Sequence, residues 1–401
     1  MVFNLMNEAS QIPTIFSTMK ERKIAAFLLA GFVLHILSLF SPLSNKVVNN
    51  IFYIGVMLPA LLMTRRFDIK ALWSSQLVKA AIVYGAFTSL MMAITLDGYK
   101  IKYVTYFFAF LLAFYHLDKN KLFNPAVVAY SLCILVLTYS LMQLFIFYEI
   151  NGAPLTARPW FSGWQLFTPS YFTAYISVAC LASAYYLFVR RSYLLFLILF
   201  SLVIALFVIT QTRMGLVGVL LSAPFFVWLA VKQRVLSFSA KSILVVFIGV
   251  ALIAALYQAG LFDVLTARGE SYRVLIATTA WTEGLNCNVL FGCGYAYDFE
   301  LDIGPLLLIT EHSSYSNQML RSGLVGVCLL LIVIVFTVFS GFRTKTPWVL
   351  SFIAGCGCLL VEGQSLMAQP RAFTQLIFWF PFCMVVLADL EYKRKKERIS
   401  S

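Results

Sequence analysis

Long apolar runs separated by short polar turns recur along this chain, at 24–40, 47–63, 80–96, 103–117, 125–148, 169–189, 193–211, 214–231, 242–262, 323–341, 348–367 and 373–389. A helix needs about 17 to 25 apolar residues to cross roughly 30 Å of hydrocarbon, so the pattern predicts an all-α polytopic membrane protein with about twelve transmembrane helices. No small-residue cleavage site follows the first run, and a second run comes immediately after it, so no cleaved signal peptide is expected.

One connection breaks the rhythm. Residues 263–322 form a polar stretch of 60 residues between the ninth and tenth runs. Within it "SYRVLIATTAWTEGL" has the spacing of an amphipathic helix, and "NVLFGCGYAYDF" reads as an extended piece with glycine turns. The predicted organisation is therefore 1–262, nine membrane helices; 263–322, a folded and partly helical loop domain; and 323–401, three more helices with a basic tail.

Composition agrees. The chain is 61% hydrophobic and only 12% charged, whereas a soluble globule carries about 25% charged residues. Aromatic residues, 16% of the chain, suit lipid-facing surfaces and interfacial belts and imply no cofactor. The net charge of +13 sits in short clusters between apolar runs, which marks orientation and not nucleic-acid binding. Counting Lys and Arg in alternate connections puts 21 of the 30 on one side, so both termini are expected in the cytoplasm and the 263–322 loop outside it.

Orientation pressure disfavours arginine on the outer side, so those found there need a reason. Arg213, in "TQTR", and Arg371, in "AQPR", each stand in a tight break between two runs; Arg268 and Arg273 stand in "ARGESYR". Each is read either as an interfacial or solvated cation or, together, as a cluster able to hold a phosphate or diphosphate. Glu362 is the one carboxylate well inside a run and is expected to pair with Arg371 or Arg213.

Other motifs are weaker. Asp298, Glu300 and Asp302 alternate as at the start of a calcium loop, but the glycine falls one place late and no closing Glu follows, so no metal is expected. Cys287 and Cys293 are the only loop cysteines, and either a bridge or two free thiols fits them. No phosphate-cradling loop, zinc spacing or Ser-His-Asp order is present, so no nucleotide or other cofactor is implied. Of the three histidines, His35 falls inside the first run and His116 near a cytoplasmic helix end, so packing or a helix C-terminal interaction is expected of them, while His312 precedes Ser313, Ser314, Tyr315, Ser316, Asn317 and Gln318 on the outer side. An imidazole there is either an ordinary loop residue or a base beside the arginines.

These residues carry a resemblance. His312 followed by a polar, aromatic stretch and then Gly323-Leu324-Val325-Gly326 is similar to the domain shared by the O-antigen ligases, O-antigen polymerases and bacterial O-oligosaccharyltransferases. "TQTR" ending at Arg213 resembles the ligases' arginine after a Thr-rich helix end, Arg273 resembles the arginine opening their periplasmic helix, and "FGCGYAYDF" the turn that follows it. At motif level the likeness covers 207–326, and Ser313 stands where the family often has Asn. Twelve helices with one large loop fit the ligases of the WaaL type best.

The resemblance implies a GT-C-like glycosyltransferase of the bacterial inner membrane, acting in lipopolysaccharide biosynthesis at the periplasmic leaflet. It would transfer polysaccharide from undecaprenyl diphosphate to a sugar hydroxyl of lipid A-core, with inversion and without metal. His312 would be the base; Arg213 and Arg273, assisted by Arg268 or Arg371, would hold the diphosphate; Glu362, Tyr315 and Asn317 would support them. A polymerase and a protein O-oligosaccharyltransferase are the nearest alternatives, and a transporter of lipid-linked oligosaccharide is the alternative of another class.

Overall fold

The computed structural model describes residues 19–95, 98–154, 157, 159, 169–233, 272–303, 306–308, 313–361 and 365–400. In chain order these form α1 (Met19–Leu39), α2 (Asn45–Met63), α3 (Arg66–Trp73), α4 (Gln76–Ile94), α5 (Lys102–Lys119), α6 (Pro125–Ile150), α7 (Pro169–Val189), α8 (Tyr193–Ile209) and α9 (Met214–Lys232). There follow α10 (Arg273–Cys287), β1 (Leu301–Ile303), β2 (Leu306–Leu308), α11 (Ser314–Thr344), α12 (Trp348–Val361) and α13 (Gln375–Ile399).

Eight of these helices, α1, α2, α4, α6, α7, α9, α11 and α13, are long and apolar enough to cross a membrane. The protein is a polytopic, almost entirely helical membrane protein. Helices α8 and α12 are apolar but shorter, and α5 falls on the run 103–117. The run 242–262 lies outside the described residues.

Lipid tails are as apolar as leucine side chains, so close backbone approach and interhelical hydrogen bonds must hold such helices together. Small hydroxyl residues do this at the centre. Ser177 Oγ of α7 donates to the Gly215 carbonyl of α9 at 3.0 Å, Ser222 of α9 to Leu350 of α12 at 3.1 Å, and Ser351 of α12 to Val178 of α7 at 2.7 Å. Aromatic edges hold the earlier helices, with Phe114 of α5 lying 5.1 Å from Phe32 of α1 and 4.9 Å from Phe380 of α13. His35 is packed inside against Phe52, and His116, buried in the last turn of α5, lies within 3.0 Å of the Thr64 hydroxyl.

The two ends of the bundle differ. At one, the buried Asp389 accepts from Ser75 at 2.8 Å and Ser340 at 3.1 Å and pairs with Arg343 and Lys393, tying α4, α11 and α13. At the other, the loop segment folds over the helix ends. Helix α10 forms where the amphipathic pattern placed it, and Cys287 and Cys293 are bridged. The short antiparallel pair β1–β2, with Leu301 opposite Leu308, was not legible as strands; β1 contains Asp302 of the acidic motif.

Helix α11 begins at Ser314, earlier than the expected 323, because a break at Gly323 (φ 60°, ψ −162°) divides it. Unbroken, its 31 residues would measure about 46 Å, against roughly 30 Å of hydrocarbon. The break frees backbone groups, and the turn at 289–293 satisfies them. Leu324 N–H donates to Val289 O at 2.9 Å, Val325 N–H to Leu290 O at 3.2 Å, and Cys293 N–H to Leu320 O at 2.6 Å. Only glycine fits the join: a Cβ at Gly323 would stand 2.4 Å from the Leu290 carbonyl, and one at Gly292 (φ 67°) 2.5 Å from Leu320 O.

Candidate functional site

Ser170 opens α7, Arg213 immediately precedes α9, Arg273 opens α10, Ser316 lies in the first part of α11, and Val361 closes α12. All five line one cavity of about 500 Å³.

Local chemistry fixes these positions. The chain leaves α8 through Gln211 in the left-handed region (φ 50°), which turns it sharply into α9. Thr212, buried, donates to Thr173 of α7 at 2.8 Å, and Thr210 donates back to Leu206 O at 2.7 Å, so both hydroxyls of "TQTR" anchor the turn. Arg213 itself is exposed. Its place at the start of α9 adds backbone N–H groups and the positive end of a helix dipole to the guanidinium. Arg273 stands likewise at the start of α10 and donates from Nη2 to Ser170 Oγ at 3.3 Å. Along α10 the residues Arg273, Ala277 and Trp281, spaced by one turn, give the cavity an aromatic wall.

Below it, a buried network holds the first part of α11. Tyr84 donates to Gln318 Oε1 at 2.7 Å, Gln318 Nε2 to Ser322 Oγ at 2.9 Å, and Ser322 Oγ to Tyr295 OH at 3.2 Å. Tyr315 donates to the Cys356 carbonyl of α12 at 3.1 Å, and Asn317 is buried. The loop is tied down further by Arg321, which donates to Tyr297 O, and by Tyr297 OH, which donates to Glu283 at 3.1 Å. Burial first, then the Glu283 carboxylate, raises the Tyr297 phenol above its ordinary value, so it remains a neutral donor.

Of the arginines singled out from the sequence, Arg213 and Arg273 meet at the cavity. Arg371 does not line it: buried between α12 and α13, it donates from Nη1 to Leu43 O at 2.6 Å, and Tyr175 and Tyr139 are its nearby phenols. His312, Arg268 and Glu362 lie outside the described residues. Ser316 follows His312, and Val361 precedes Glu362, closely in the chain. Ser170 and Trp281 were not singled out in the sequence. For Trp281 a signal existed, its spacing of two helical turns from Arg273; for Ser170 there was none beyond a helix start.

Two guanidiniums at helix starts, with hydroxyls and an indole on the same cavity wall, are donor groups of the kind an oxyanion needs. No protein family model and no curated protein matches this chain.

Proposed function

We propose that the protein is a glycosyltransferase of the O-antigen ligase kind, transferring polysaccharide from undecaprenyl diphosphate to a sugar hydroxyl of lipid A-core. The observation that carries this reading is the convergence of Arg213 and Arg273 on one cavity, where α11, the helix following His312, also contributes Ser316. On this reading the chain has twelve spans in a GT-C-like arrangement, its termini are cytoplasmic, and the cavity faces the periplasm of the inner membrane.

Arg213 and Arg273 hold the donor's diphosphate while its polyprenyl tail stays in the bilayer. His312 removes the proton of the acceptor hydroxyl. That oxygen bonds to the anomeric carbon as the bond from that carbon to the diphosphate oxygen breaks, so the centre inverts and undecaprenyl diphosphate leaves. Base assistance contributes about 10²–10⁴ in rate, and stabilising the charge on the leaving diphosphate contributes a comparable or larger factor. Arg268 assists in holding the diphosphate, Glu362 supports the centre, and Tyr315 and Asn317 hold the start of α11.

The test is lipopolysaccharide laddering in a ligase-deficient Gram-negative host expressing wild type or His312→Ala at matched membrane levels. Wild type is expected to restore O-antigen bands, and the variant to lose them while polymer accumulates on the lipid carrier. Recovery of long chains in a polymerase-deficient strain, without ligation, would move the assignment to polymerase; full activity of the variant would remove His312 from the site.

A further inference from the structure

A second cavity, of about 750 Å³, lies between the start of α1, the end of α2 and the end of α5. It is remote from the first. Helix α1 begins at this cavity and ends at the opposite side of the bundle, where Phe40 lies 5.6 Å from Tyr175 of α7, beyond Ser170 of the first site.

Besides Glu21, His116 and Asn120, its polar wall carries four cations, Arg22, Arg65, Lys119 and Lys121. Two of these are engaged: Arg65 pairs with Glu21, and Lys119 with the buried Asp68 at 2.5 Å. Arg22 and Lys121 remain, both exposed, so the wall keeps two positive charges beyond its internal pairs. The other wall is apolar. It includes Leu62 and Leu122, whose exposure of 68% and 38% places them at the lipid-facing edge.

Lys121 has a further peculiarity. It follows Asn120, the C-cap of α5, in left-handed conformation (φ 57°), closed by Lys121 N–H to Asp118 O at 2.8 Å and Leu122 N–H to Leu117 O at 2.9 Å. Glycine fills that helix-ending position at lower backbone cost. A lysine there holds its ammonium at the cavity on a fixed backbone.

We propose that this cavity binds the phosphate of an anionic membrane phospholipid, with Arg22 and Lys121 contacting the headgroup and the acyl chains running out past Leu62 and Leu122. A free phosphate shares the charge chemistry but makes no use of the apolar wall. Basic pockets between membrane helices take such headgroups by the same combination of charge and apolar contact. This inference does not depend on the transferase reading.

The test uses the full chain purified in detergent, melted with phosphatidylglycerol, phosphatidylcholine or inorganic phosphate. Phosphatidylglycerol is expected to raise the melting temperature by about 3 °C or more, with phosphatidylcholine and inorganic phosphate giving no rise. The rise is expected to vanish in Arg22→Gln/Lys121→Gln. Lys121→Gly, which suits the local backbone and removes the ammonium together with its stem, is expected to fold normally and to weaken the rise at least several-fold in lipid concentration. An undiminished rise in both variants, or an equal rise with phosphatidylcholine, overturns the headgroup site; an equal rise with inorganic phosphate overturns the lipid as its source.

Discussion

Arg213 and Arg273, far apart in the sequence, line the same cavity from the starts of two helices. If both grip one diphosphate, their losses are coupled. Arg213→Ala and Arg273→Ala are each expected to lower the ligation rate at least ten-fold, as for a lost hydrogen bond to a charged group worth about 1.5–3 kcal/mol. The double variant is expected to lose less than the product of the two. The measurement is in vitro transfer from a lipid-linked donor at several donor concentrations. Wild-type rates in both single variants would remove the diphosphate assignment.

The join between α11 and the loop predicts an intolerant glycine. Gly323→Ala places a side chain in a backbone conformation that essentially only glycine adopts and against the Leu290 carbonyl. A loss of about 1–3 kcal/mol is expected from the backbone alone, read as a lower melting temperature in detergent. Gly152 has φ 65° but open space around it, so Gly152→Ala meets no such clash and is the matched control. Equal melting losses in the two would mean that contact with the loop adds nothing.

The Cys287–Cys293 bridge closes the turn that feeds those hydrogen bonds. A loop this short is stabilised by about 2 kcal/mol through restriction of the unfolded chain. Cys287→Ser/Cys293→Ser is expected to lower the melting temperature, and reductant is expected to lower that of wild type but not of the variant. A reductant effect that persists in the variant would point to another disulfide.

Asp68 predicts a pH dependence. Burial pushes its carboxyl up, but the Lys119 ammonium and the Arg65 N–H outweigh burial and bring it below its ordinary value. A depressed carboxylate contributes stability above its unfolded pKa, near 3.9, and that contribution disappears as pH falls through the folded value. Asp68→Asn is therefore expected to melt lower than wild type at neutral pH, with the difference closing below about pH 4. A difference that stays constant into acid would assign the effect to packing.

The membrane character of this chain was legible because hydrocarbon thickness imposes one length on every crossing segment, so eleven apolar runs fall on helices. The helix at 273–287 was legible for a related reason, since its apolar face repeats with the helical period. Less regular features left weaker traces. Nothing local announces that Ser314 is already helical, because the break at Gly323 is stable only through carbonyls supplied from 289 and 290. Likewise the choice between bridged and free cysteines depended on how the intervening turn folds. At the site, charge bias marked Arg213 and Arg273 as anomalies worth explaining. The same bias marked Arg371, which the fold buries against Leu43, because charge counts carry no information about which helix ends lie together.

The stitched break also sets the unit in which this protein can be recombined. Residues 288–293 and 320–325 complete each other's backbone, so a chimera that exchanges the loop but keeps its own α11, or the reverse, must match two foreign surfaces at main-chain distance. A crossover in the chain before residue 273 or after residue 344 leaves both halves of the join from one parent. The natural cassette for exchange is therefore the loop together with the helix it enters.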